Sequence, residues 1–205
     1  MRRHELKDVE AALNHDLNNT LQVVMGNLEM LRRRAAFVPE IVEAALAATR
    51  NAAHLADRMV AVARLRRVEP RRLDLNKLLA DLADMMRGTL GHAIRLEIEP
   101  SPQAGAVLVD PGCVQTALLE LAANARAAMP TGGKVLVRSS KGRLDFADSG
   151  PGMPADKIAR ALEGAEPAAL GLYLVAHCMK ACGGRVEVAA TPPRGTTVTL
   201  YFPTP

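Results

Sequence analysis

Aromatic side chains are almost missing from this sequence, which has no Trp, two Tyr and three Phe in 205 residues. Recognition by stacking bases on aromatic rings is therefore not expected, and nucleic acid is not an expected partner. No apolar run approaches the roughly 20 residues that cross a bilayer, so this chain carries no expected membrane segment. The three cysteines, Cys113, Cys178 and Cys182, form no CxxC pair and have no His at metal-ligand spacing. Cys178 and Cys182 lie one helical turn apart and read as small core residues. An odd cysteine count without a secretory leader fits a reducing compartment, and the expected location is the cytoplasm. Neither charge dominates: the formal net charge is +4. The basic clusters at Arg32, Arg33 and Arg34 and at Arg64, Arg66, Arg67, Arg71 and Arg72 read as solvated helix ends and linker.

What the sequence has in quantity is aliphatic surface, with 49% hydrophobic residues. Residues 1–66 read as two helices. The first carries Leu6, Val9, Leu13, Leu17, Leu21, Val24, Leu28 and Leu31 in steps of three and four, one stripe of a helical bundle. Pro39 breaks the chain, and Glu40 opens a second helix with the stripe Ile41, Ala45, Ala48, Ala52, Leu55, Met59 and Val62. Two helices alone bury such stripes poorly, which predicts a hairpin that dimerises into a four-helix bundle. Residues 67–73, charged and containing Pro70, read as a linker. Residues 74–205 then change to a mixed pattern. Helices are predicted after Asp74 and, behind the Asp110-Pro111 cap, through Met129. Strands are predicted near 94–98, 106–109, 134–138, 143–147, 185–189 and 196–202, with a last helix from Gly171 to about Ala181. The expected fold class is α+β, a helical hairpin followed by a sandwich with helices on one sheet face.

His15 stands between the stripe residues Leu13 and Leu17, about 200° of helix rotation from each, and so points away from the seam. Asp16 follows it, and Asn19 lies one turn along the same face. An imidazole that attacks phosphorus needs one free nitrogen and a partner that orients the other, which an adjacent carboxylate supplies. An amide one turn away is placed to position a water for the reverse reaction.

The run Asn14-His15-Asp16-Leu17-Asn18-Asn19-Thr20-Leu21, followed by Gly26-Asn27-Leu28-Glu29, resembles the H-box of sensor histidine kinases, in particular the His-Asp-x-Asn-Asn subgroup. The resemblance implies that His15 accepts the γ-phosphoryl group of ATP, that Asp16 acts as general base and that Asn19 supports phosphatase activity. A receiver domain of a response regulator would be the partner, and the hairpin a homodimer.

The second region adds motifs in the same order. Leu118-Leu119-Glu120-Leu121-Ala122-Ala123-Asn124-Ala125 resembles the N-box of the GHKL-type ATPase fold, with Glu120 and Asn124 one turn apart. Such oxygen ligands suit Mg²⁺, and the resemblance assigns the cation to Asn124 with Glu120 beside it. Asp148-Ser149-Gly150-Pro151-Gly152 resembles the G1 box, which implies that Asp148 reads the adenine amino group while Gly150 and Gly152 shape the pocket. Ala169-Leu170-Gly171-Leu172 is similar to the family's phosphate run, with Gly171 at the start of a helix. Three departures stand out: a shortened lid at 163–168, missing glycines before Gly171, and Ala127 where the family usually places Lys, Arg or Asp. The resemblance implies an ATP-dependent protein-histidine kinase. The departures favour the alternative, a histidine phosphotransferase or pseudokinase with a degenerate ATP-binding domain.

Overall fold

A computed structural model of the chain describes residues 17–31, 40–46, 48, 49, 52, 56, 59, 68–163, 170–190 and 195–205. The chain divides into two compact units, Met1–Arg66 and Arg67–Pro205. His15, Asp16, the lid residues 164–169 and the turn residues Pro192, Pro193 and Arg194 lie outside the described residues.

In the first unit, residues 17–31 form helix α1, and the described residues between 40 and 59 are helical (α2). The alanine stripe predicted for α2 is the buried one: Ala45, Ala48 and Ala52 are all under one-tenth exposed. Their spacing of three and four places them on one face, and their small side chains permit close helix approach. On α1 the stripe is less covered, with Leu21 43% and Leu28 54% exposed.

The second unit runs β1 (Arg71–Asp74), α3 (Leu75–Leu90), β2 (Ile94–Glu99), β3 (Ala106–Val109), α4 (Pro111–Ala128), β4 (Gly133–Ser140), β5 (Arg143–Asp148), α5 (Ala155–Glu163), α6 (Leu170–Ala181), β6 (Arg185–Ala190) and β7 (Thr196–Tyr201). Five strands form one sheet in the order β2-β4-β5-β7-β6. The β2–β4 pair is parallel, bridged by the crossover through β3 and α4, and the other pairs are antiparallel. Val135, Val137, Leu144, Phe146, Val198 and Leu200 alternate onto the buried face. Outward positions pair across strands instead, Glu97 with Lys134 and Glu99 with Arg138, while Arg185 stacks on the ring of Tyr201.

Local chemistry fixes the helix ends. Asp74 caps α3 by accepting from the Lys77 backbone N–H at 2.8 Å, and the helix stops at Gly91. Asp110 caps α4 by accepting from the backbone N–H groups of Gly112 and Cys113, with Pro111 in the first turn. Helices α3, α4 and α6 pack side by side as the layer over the sheet. A buried polar link ties that layer to the sheet: Ser139 Oγ donates to Asn76 Oδ1 at 2.6 Å and accepts from the Ser101 N–H at 2.8 Å.

The α+β sandwich expected from the sequence is therefore the observed fold. Two local readings change. The stretch 67–73 is not all linker, because Arg71–Asp74 is a strand that pairs antiparallel with β3, setting Leu73 opposite Val107. Its arginines stay exposed and only Leu73 turns inward, so in sequence it looks like charged connector. Helix α5 had no sequence expectation. It is short and buries a single residue, Ala161, although Ile158, Ala161 and Leu162 fall at helical spacing along it.

Candidate functional site

Three strands and three helices of the second unit, β5, β6, β7, α4, α5 and α6, converge on one cavity of about 240 Å³. Sheet register builds its floor. Phe146, Val198 and Val188 stand side by side across β5, β7 and β6, and one step along lie Asp148 and Thr196, paired across the same strands. Because side chains alternate along a strand, Asp148 shares the inward face of Phe146 and Leu144. From α4 come Leu121, Asn124 and Ala128, at steps of three and four, together with Ala127; from α6 comes Leu172. Gly152, Met153 and Lys157 complete the wall after β5. The lining is mostly apolar, with a few polar groups, as expected of a small-molecule site.

Asp148 is held rigidly in that wall. Its Oδ1 accepts from the Gly150 N–H at 2.8 Å and from the Thr196 N–H at 3.3 Å. Burial pushes its pKa above the ordinary aspartate value, and these two backbone donors oppose the shift. The neighbouring backbone comes so close that Gly195, at φ 93°, has no room for a side chain: a Cβ there would lie 2.0 Å from the Asp148 carbonyl oxygen. With Oδ1 occupied by the backbone, the second carboxylate oxygen is the one with capacity for a ligand donor.

The N-box pair behaves differently at its two positions. Asn124 lines the cavity, whereas Glu120, one turn earlier, is 4% exposed and outside the lining. Gly171, in the first turn of α6, packs against both: a Cβ on it would fall 2.6 Å from Glu120 Oε2 and 3.1 Å from both amide atoms of Asn124. Among the sequence-expected residues, the structure thus gathers Asn124, Asp148 and Gly152 around one cavity. Gly150 serves Asp148 through its N–H, and Gly171 closes on Glu120 and Asn124. Asn19 belongs to the first unit, where it is exposed on α1. Sequence reasoning missed Phe146, Met153, Lys157, Leu172, Thr196 and Val198. The alternation of β5 and β7 carried a signal for Phe146 and Val198, and Lys157 had none.

Residues 109–205 match the model of the histidine kinase-, DNA gyrase B- and HSP90-like ATPase family. The matched stretch lies within the C-terminal unit, Arg67–Pro205, and takes in α4 and everything after it. Over most of its length the chain is also similar to sensor kinase CckA of Brucella abortus (strain 2308), 28% identical over 92% of this chain and 23% of CckA. Sensor histidine kinase ZraS of Escherichia coli (strain K12) is 27% identical over 97% of this chain and 45% of ZraS. The chain therefore spans less than half the length of these curated relatives. Among solved structures, histidine kinase ThkA in complex with response regulator protein TrrA covers all of this chain and 64% of its own, with TM-score 0.76 and 17% identity, a likeness of fold. The resemblance to a sensor histidine kinase core is borne out, and with it the α+β fold. No described helix is long and apolar enough to cross a membrane.

Proposed function

We propose that the chain is an ATP-dependent protein-histidine kinase core, with His15 as phosphoryl acceptor and the cavity beside Asp148 as the adenine site. The observation that carries this reading is the placement of Asp148, a carboxylate pinned by two backbone donors at the end of an apolar cavity. Its remaining oxygen can accept from an exocyclic amino group, while aliphatic walls take the flat faces of the base. Asn124 opens onto the same cavity, next to the start of α6, whose N-terminal turn favours phosphate.

The residues present fit Mg²⁺. Asn124 and Glu120 offer oxygen donors one turn apart, and among the described residues no group of three His, Cys, Asp or Glu forms a protein cage. That suits a hard cation that keeps waters and shares its shell with substrate phosphates. Asn124 would hold it, with Glu120 alongside, and when bound it neutralises charge on the phosphates.

Catalysis by this chain is then positioning and electrostatics. The base is fixed through Asp148. One imidazole nitrogen of His15 attacks the γ-phosphorus, the bond to the β,γ-bridging oxygen breaks, and ADP leaves. Asp16 orients the ring and takes its proton. A receiver-domain aspartate of a response regulator then accepts the phosphoryl group, a partner supported by the fold likeness to ThkA in its complex with TrrA. Asn19, exposed on α1, is the residue to position water for dephosphorylation of that partner. The exposed Leu21 and Leu28 favour pairing of two hairpins into a homodimeric bundle, and the reduced thiols favour the cytoplasm.

Incubation with γ-labelled ATP and Mg²⁺ tests the reading: wild type becomes labelled on histidine, and His15→Ala does not. An unlabelled wild type that nevertheless takes phosphoryl groups from a phosphorylated receiver would select the phosphotransferase alternative.

A further inference from the structure

We propose that Lys157 is the cation through which this cavity holds the phosphate chain of its nucleotide, so that it discriminates phosphorylated nucleotides from the nucleoside. The inference rests on the nucleotide reading above and adds to it a residue that no motif marks.

The charge inventory of the cavity leads to Lys157. Among the described residues that line it, Asp148 is the one carboxylate and Lys157 the one cation. Asp148 is turned to the base, so it can only repel a polyphosphate. On α4, the two positions one turn beyond Asn124 are Ala127 and Ala128, which present methyl groups to the cavity and no charge. A nucleotide with several negative charges keeps a net negative charge even with one divalent cation bound, and the partial charge of a helix terminus offsets only part of it.

The setting of Lys157 suits that task. It lines the cavity while being itself exposed, which places it at the mouth. It stands in the first turn of α5, a helix anchored by the buried Ala161, and Met153, in the segment before that helix, also lines the cavity. The positions three and four away from Lys157 are Met153, Pro154, Arg160 and Ala161, none of them acidic. Helix α5 thus offers no intrahelical ion pair, and no salt bridge involves Lys157 among the described residues. Four methylenes let the ammonium swing to a phosphate outside the cavity while the stem packs against its wall.

Calorimetric titration of ATP and of adenosine into the full chain with Mg²⁺, for wild type, Lys157→Gln and Lys157→Arg, tests the proposal. A charge-assisted contact at a partly solvated mouth is worth about tenfold in affinity. Lys157→Gln should therefore weaken ATP about tenfold, leave adenosine within about twofold, and lose most of the salt dependence of ATP binding. Lys157→Arg should restore ATP binding. Unchanged ATP affinity in Lys157→Gln, or an equal loss for adenosine, overturns the role of Lys157 while leaving the nucleotide site intact. A wild-type chain that binds neither ligand overturns the nucleotide reading itself, and this inference with it.

Discussion

Gly171 sits so close against Glu120 that a Cβ on it would lie 2.6 Å from the carboxylate Oε2. The glycine is helical, so its role is to leave space rather than to adopt a special backbone conformation. Gly171→Ala therefore sets two effects against each other. Alanine favours the helix by about 1 kcal/mol, and overpacking against Glu120 and Asn124 costs about 1–3 kcal/mol. The expected result is a net loss of order 1 kcal/mol in urea denaturation, with ATP affinity falling about tenfold or more because Asn124 is displaced. Wild-type affinity in this variant would show that the close contact serves packing alone.

Asp148 gives a pH dependence whose sign follows from its burial. Its folded pKa is raised, so relative to the unfolded chain its contribution to stability is fully present below the unfolded value and lost as pH rises through the folded one. At neutral pH the ionised carboxylate is thus kept at a cost. Asp148→Asn removes that cost and retains an oxygen that accepts from Gly150 and Thr196, so its melting temperature should equal or exceed that of wild type. Binding moves the other way. An amide can turn its N–H₂ toward the base, and ATP affinity should fall about tenfold or more. Wild-type affinity should also decline on acidification as Asp148 takes up its proton, and the variant should lack that component. Calorimetry across acid and neutral pH reads both, and parallel pH profiles would count against adenine recognition by Asp148.

Much of this architecture was legible because local chemistry and periodicity agreed. Asp110-Pro111 announces α4, and the alternation in β4, β5 and β7 announces the buried face. The sequence Asp-x-Gly-x-Gly puts a carboxylate at a strand end with two glycines behind it. Elements that depend on a distant partner were not legible. Strand β1 exists because Leu73 meets Val107, 34 residues on (107 − 73), and its exposed arginines carry no strand pattern. Thr196 reaches Asp148 only through the β5–β7 register, and Lys157 lines the cavity only through the packing of α5 against α6. The seam of the first unit was readable as periodicity, and its alanines are buried where the spacing placed them.

Cys178 and Cys182, read from spacing as core residues, prove to cluster with Cys113. Cys113, in the first turn of α4, lies against Cys178 and Cys182 of the α6 end; all three are free and buried. Contact with Cys178, reinforced by burial, pushes the Cys113 thiol from 9.0 up to about 12. Cys182 is also pushed up, first by Cys113 and then by burial. At pH 8 about one Cys113 in ten thousand is then thiolate, the form that reacts. Ellman's reagent should leave the native protein nearly unlabelled at that pH and label all three cysteines once guanidinium unfolds it. The same shift acts on stability. A raised folded pKa gives a contribution fully present below the unfolded value and lost as pH climbs toward the folded one. Denaturation midpoints should accordingly fall between about pH 9 and pH 12, and Cys113→Ala should flatten that decline while lowering stability at neutral pH through the cavity it leaves. Prompt stoichiometric labelling of the native protein would contradict the cluster, because it would require thiols that burial and mutual contact hold protonated to be exposed and ionised.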